Sequence, residues 1–128
     1  MAESNPHWTE GHKYAVEGIK VLLALNGGAA VAVLTFAGHV PDLRTAGMRN
    51  AILAFGIGAL ISAFAFLCGY LASLAYGNRE TTTDPASGAR YNIQALAWHY
   101  VGYALFFLAA ALFVAGLVIA ACSMPVKP

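Results

Sequence analysis

Three long apolar stretches follow one another along the chain, separated by polar segments. They cover about residues 18–37, 51–76 and 95–122. Each reaches the ~20 mostly apolar residues that a helix needs to cross the hydrocarbon core of a bilayer. This pattern predicts an all-α transmembrane fold, in which residues 1–128 form a single membrane domain and three helices run up, down and up through the lipid.

The first apolar stretch has a polar lead-in, residues 1–20, that is also expected to be helical. Asn5 and Pro6 are typical of a helix start, with asparagine as the N-cap and proline in the first helical position. A continuous helix from Pro6 to Ala37 would be roughly 48 Å long, well beyond the ~30 Å of the hydrocarbon core. We therefore predict an amphipathic N-terminal extension of helix 1 that projects from the membrane or bends along its surface.

The charged side chains of this lead-in fall on one side of the helix. Glu10, Lys13, Glu17 and Lys20 are separated by three or four residues, the spacing of neighbours on a helix face. One interpretation is a neutralised stripe, in which the charges pair within the helix and Lys20 extends its ammonium group to the lipid headgroups. The other is a pore or subunit seam, in which a ring of copies places these charges above a constriction of glycine and alanine.

Small residues recur at helical spacing in all three spans, a pattern typical of membrane helices that pack closely. In the third span Ala95, Gly102, Ala109, Gly116 and Ser123 follow one another every seven residues. The pattern leaves open whether the partner helix belongs to the same chain or to another. We assign helix packing to a set of small and polar positions: Asn26, Gly27, Gly28, Gly58, Ser62, Gly69, Gly102 and Gly116.

Asn26 lies deep in the first span, where lipid offers its amide no hydrogen-bond partner. It is therefore expected to face another helix. Ser62, a backbone carbonyl opposite Gly58, or Asn26 of a second copy would each satisfy it. Gly27 and Gly28 are expected to let the neighbouring helix come close.

Residues 77–92, GNRETTTDPASGARYN, form the one long hydrophilic segment between the spans. Their threonine, aspartate, proline, serine and glycine content predicts an exposed loop. All six tyrosines and both tryptophans belong to the half of the molecule that carries this loop and the N-terminus. We therefore predict an aromatic-rich headpiece that projects past the membrane on that side.

Composition and charge narrow the class of protein. Apolar residues make up 59% of the chain and charged residues 10%, whereas soluble domains average about 45–50% and about 25%. The mean hydropathy is +0.65. A net charge of +1 without a clustered basic face gives no electrostatic case for nucleic-acid binding. A bilayer is the environment that this composition predicts.

Basic residues set the expected orientation. Lys13, Lys20, Arg79 and Arg90 lie on the side of the N-terminus, against Arg44, Arg49 and Lys127 on the other side. Under the positive-inside rule the small excess favours a cytoplasmic N-terminus.

Candidate chemistry is sparse. His99, between Trp98 and Tyr100, and His12 are the histidines that could serve as haem ligands on facing helices, and His99 could also lie beside a quinone. Cys68 and Cys122 do not have the spacing of a metal site, so no metal is predicted. The chain also lacks a nucleophile beside a base, paired carboxylates within a span and a phosphate-binding glycine loop. We expect no enzymatic activity.

The run LALNGGAAVAVL at residues 23–34 resembles a pattern in small bacterial inner-membrane proteins. In these proteins a polar lead-in precedes a first span that reads LLxLNGGAxxAxLxF, and two or three further spans follow. The resemblance covers helix 1, about residues 14–38, and extends to the rest of the chain only in layout. It implies a bacterial source and an inner-membrane location, without an established activity or functional residues.

These observations predict a non-enzymatic membrane protein that acts through helix–helix association. It would form a homo-oligomer or serve as an accessory subunit of a larger membrane complex. One alternative is a small channel-like or holin-like homo-oligomeric pore lined by helix 1. A second is a haem- or quinone-associated subunit that uses His99.

Overall fold

The computed structural model describes the backbone of residues 6–40 and 45–124, and the side chains of residue 13 and of residues 16–40 and 45–124. Three helices account for nearly all of these residues: α1 (Pro6–His39), α2 (Ala46–Thr81) and α3 (Pro85–Cys122). The described residues contain no strand. The predicted all-α, three-helix fold is confirmed.

The helices are long enough and apolar enough to cross a membrane. They contain 34, 36 and 38 residues, which corresponds to about 50–57 Å at 1.5 Å per residue. Because the hydrocarbon core is ~30 Å thick, each helix must continue beyond it. This is the architecture of a small multi-pass membrane protein.

Residues 77–92 are helical over most of their length, so the prediction of a long loop is wrong. α2 continues to Thr81, α3 begins at Pro85, and only residues 82–84 lie between them. The cause is a strong helix start: Asp84 is the N-cap of α3, and its carboxylate accepts hydrogen bonds from the backbone N–H groups of Ala86 (3.3 Å) and Ser87 (2.9 Å). Proline follows in the first helical position, which needs no N–H donor. The polar residues at 77–92 therefore belong to the exposed end of a helical hairpin.

α2 and α3 form this hairpin through an interface of small side chains. On α3, Ala95, Gly102, Ala109 and Gly116 are all buried, in line with their seven-residue repeat. A large ring enters the interface at one point, since Phe55 is fully buried and a Cβ atom at Gly116 would lie 2.6 Å from it. Glycine at 116 therefore provides the space for Phe55.

α1 lies against α2 and contacts α3 much less. Near the end of α1, Ala37 joins Met48, Ala51, Phe55 and Ala120 in a buried apolar cluster. Towards the start of α1 the contact with α3 opens into a cavity between the two helices.

Candidate functional site

Asn26 lies at the centre of the bundle and is fully buried. Its Nδ2 donates hydrogen bonds to the backbone oxygen of Leu22 at 3.0 Å and, across to α3, to that of Ala109 at 3.5 Å. Its Oδ1 accepts no hydrogen bond within the described part of the chain and lies against Gly58. The side chain thus points into protein and joins α1 to both other helices.

Neither Ser62, a partner predicted for Asn26 within the chain, nor the carbonyl of Gly58 forms a hydrogen bond with it among the described residues. Ser62 donates its hydroxyl to the Gly58 carbonyl at 2.8 Å, within α2. Gly58 instead offers Asn26 a surface without a side chain, since a Cβ atom there would overlap the carboxamide. Ala109, which supplies the carbonyl on α3, belongs to the seven-residue repeat, but the sequence pattern does not identify it as a hydrogen-bond partner of Asn26.

The two faces of α1 have opposite surroundings. The inner face is buried against α2 and α3 and includes Ile19, Leu22, Asn26 and Ala37. The opposite face, which we call the outer stripe, is exposed and consists of Lys13, Glu17, Lys20, Ala24, Gly28, Val31 and Thr35. These residues follow one another in steps of three and four, so they form one continuous line along the helix.

Gly27 and Gly28 do not bring a neighbouring helix close within this chain. Gly28 is exposed and Gly27 half-buried, and a Cβ atom at either position would meet no atom within 4 Å. Asn26 and Gly28 therefore belong to different faces of α1, one directed at the bundle and the other away from it.

The charges of the outer stripe form one ion pair among the described side chains. Lys20 Nζ lies 2.9 Å from Glu17 Oε1, and both side chains are more than half exposed. Lys13 is exposed on the same face. The side chain of Glu10 lies outside the described residues, as does that of His12.

A cavity of about 220 Å³ lies between α1 and α3 on the side of the bundle where α1 begins. Its walls are almost entirely apolar and aromatic, with Gly69 of α2 at its edge. A Cβ atom at Gly69 would meet nothing within 4 Å, so this glycine borders open space. By contrast, Gly102 is buried against Cys68 and the Ala65 carbonyl. Sequence periodicity gave Gly69 and Gly102 the same role, whereas their surroundings differ.

His99 is the one histidine in the described cavity wall. Its ring is flanked by two tyrosines, with centroid distances of 6.1 Å to Tyr76 and 5.2 Å to Tyr103. Trp98, Phe106 and Phe107 also belong to the aromatic lining. Among the described residues no group of three or more histidine, cysteine or acidic side chains could hold a metal ion. The His12–His99 haem pair stays a prediction, because it requires the undescribed side chain of His12.

The turn between α2 and α3 carries a perturbed carboxylate. The pKa of Asp84 lies below its usual range because the Ser87 hydroxyl, at 2.6 Å, and the backbone N–H groups of Ser87 and Ala86 all donate to the ionised form. The carboxylate is fully exposed, so these bonds form a helix cap in a solvated turn.

The fold and these sites define a small three-helix membrane protein with an exposed, charged face on its first helix. A scan against protein-family models and searches of curated proteins and of solved structures each gave no match to this chain.

Proposed function

We propose that this protein acts, without enzymatic activity, through helix–helix association, and that the outer stripe of α1 is the contact surface. The observation that carries the proposal is the exposure of this whole face, from the charges at Lys13, Glu17 and Lys20 to the small residues Ala24 and Gly28. The partner is a second copy of the chain, or a larger membrane complex to which the chain is an accessory subunit.

Small residues favour such a contact inside a bilayer. Lipid tails are as apolar as the helices, so association depends on close van der Waals packing and on polar contacts. The open space beside Gly28 allows a second backbone to approach.

The charged part of the outer stripe suits a parallel pair of copies. Glu17 has a lysine on either side of it along the stripe, at positions 13 and 20. In copies inserted in the same orientation equal positions align, so Glu17 of one copy lies only about 4.5–6 Å along the axis from Lys20 and Lys13 of the other, within reach of their long side chains. Such cross-pairing would offset the cost of holding charges at the edge of the lipid.

A pair of glycine variants tests the proposal. Gly28 and Gly56 both border open space, Gly28 on the outer stripe and Gly56 on an exposed face of α2. We expect Gly28→Leu to convert the purified oligomer to the monomer in native mass spectrometry from a mild detergent, and Gly56→Leu to leave it intact. A wild-type monomer without co-purifying membrane proteins, or an oligomer unaffected by Gly28→Leu, would contradict the proposal.

A pore lined by α1 is the second candidate function, because the same residues would form charged rings above Ala24 and Gly28. Rings of mixed sign select only weakly between cations and anions. If α1 lines a conducting pore, Glu17→Gln is expected to raise the relative permeability to anions in planar bilayers. If the purified oligomer does not conduct, the pore is excluded and helix–helix association is retained as the proposed function.

The location and orientation are part of the proposal. The LNGGA pattern of helix 1 supports a bacterial inner membrane, and the basic residues favour a cytoplasmic N-terminus. In that orientation residues 82–84 face the cytoplasm. A Thr83→Cys variant without Cys68 and Cys122 is therefore expected to resist a membrane-impermeant maleimide in intact cells and to react after lysis. Labelling in intact cells would reverse the orientation.

A further inference from the structure

The cavity between α1 and α3 opens at the surface of the bundle, and its lining residues all lie within the three candidate membrane spans. Its rim carries Phe107, Tyr103 and Trp98, which are 69%, 47% and 39% exposed. Gly18 on α1 and Gly69 on α2 carry no side chain to close the space between them. A molecule dissolved in the membrane could therefore enter from the side.

The volume restricts what fits. A dry cavity of 150 Å³ accepts benzene, and pockets for drug-sized molecules begin near 300 Å³. At about 220 Å³, the space corresponds to one or two fused rings. A porphyrin is larger than a drug-sized ring system, so the enclosed part of this cavity is too small to hold a whole haem.

The lining favours a flat ring with a polar substituent over a saturated chain. Trp98, Tyr103 and Phe106 present aromatic surfaces, which stack on unsaturated rings with defined geometry. The imidazole of His99 can donate to a carbonyl or accept from a hydroxyl. An acyl chain could use neither feature.

We propose that this cavity binds the head group of a membrane-dissolved, quinone-like molecule, with one or two fused rings and a carbonyl in reach of His99. The proposal concerns binding alone, and it is independent of association through the outer stripe.

Trp98 supplies the optical signal for a test. In a Trp8→Phe background it is the one tryptophan of the chain, and quinones quench indole fluorescence on contact. The full chain in lipid nanodiscs is titrated with 2-methyl-1,4-naphthoquinone, a probe of two fused rings and two carbonyls. We expect saturable quenching of Trp98.

Variants at matched glycines separate binding in the cavity from partition into lipid. Gly69→Phe would fill the open space beside Gly69, whereas Gly56→Phe adds the same ring on an exposed face away from the cavity. We expect saturable quenching to disappear in the first variant and to persist in the second. Gly69→Leu repeats the test with a smaller side chain if the phenylalanine variant does not give the helical circular dichroism of the wild type.

His99→Phe keeps a ring but removes both nitrogens. Because a hydrogen bond contributes a modest net free energy, we expect the probe to bind about 2- to 10-fold more weakly. Linear, non-saturable quenching that is equal in wild type and Gly69→Phe would overturn the proposal. Occupation of the cavity by an acyl chain would also overturn it. In that case a brominated-acyl phosphatidylcholine would quench Trp98, Gly69→Phe would abolish this quenching, and the naphthoquinone would not displace the lipid.

Discussion

The carboxamide of Asn26 on α1 occupies the space that a side chain at Gly58 on α2 would need. The two residues therefore determine how closely α1 and α2 approach at the middle of the bundle. Asn26 is fully buried and also donates to the Ala109 carbonyl of α3, so one side chain sets the position of α1 against both other helices.

Gly58→Ala is expected to destabilise the bundle by about 1–3 kcal/mol, the usual cost of inserting a methyl group into a tightly packed interior. The added Cβ would displace Asn26 from its hydrogen bonds. Unfolding in mixed micelles, followed by circular dichroism, measures the change. Gly56→Ala is the control, because its Cβ would meet nothing within 4 Å, and we expect no loss of stability, since alanine favours the helix over glycine by up to about 1 kcal/mol. Equal effects at both positions would contradict the contact.

The same contact predicts strong coupling in a double-mutant cycle. Asn26→Ala removes the carboxamide that Gly58→Ala would meet, so the second substitution should cost little once the first is present. We expect a coupling free energy of about 1–2 kcal/mol between the two sites. The four unfolding free energies of the cycle are measured in one detergent mixture. Effects that add within about 0.5 kcal/mol would place positions 26 and 58 out of contact.

The cap of α3 is expected to respond to acid. Because its folded-state pKa is depressed, Asp84 contributes stability above the unfolded-state value of about 3.9, and this contribution is lost as the pH falls through the lower folded-state pKa. The Ser87 amide resonance should follow this step in an NMR titration. Ser87→Ala is expected to raise the pKa of Asp84 towards its usual range, since it removes the hydroxyl donor.

Asp84→Asn is the control for this titration. Asparagine caps a helix as well as aspartate does but has no charge to lose, so the Ser87 amide should stay constant over the same pH range. A midpoint at or above the usual aspartate pKa in the wild type would show that the cap does not stabilise the ionised form.

Periodicity predicted the fold and part of the packing. The seven-residue repeat from Ala95 to Gly116 identified the buried face of α3, because two helices that pack closely need small residues at regular intervals along their interface. The loop prediction failed at Asp84 and Pro85, although the same type of sequence pattern, Asn5 followed by Pro6, is interpreted as a helix start. Polar composition indicates exposure to water, but it does not distinguish an exposed helix from a loop.

The two candidate sites, the outer stripe and the cavity, could not be predicted from the sequence pattern, because both depend on how the three helices pack. Helical spacing places Asn26 and Gly28 on different faces of α1, but it does not say which face the rest of the chain covers. The cavity beside His99 likewise lies between α1 and α3, the two helices that contact each other least. The orientation of one helix relative to two others is a property of the packed bundle.

Disulfide trapping at Gly28 tests the central claim, that the outer stripe of α1 is an association surface, most directly. Gly28→Cys is introduced without Cys68 and Cys122, and membranes are oxidised before solubilisation. A disulfide forms only when the two Cα atoms come within about 7 Å, so we predict a covalent dimer at Gly28→Cys and none at the equally exposed Gly56→Cys. No dimer at position 28 together with no co-purifying membrane protein, or equal amounts of dimer at positions 28 and 56, would contradict the account.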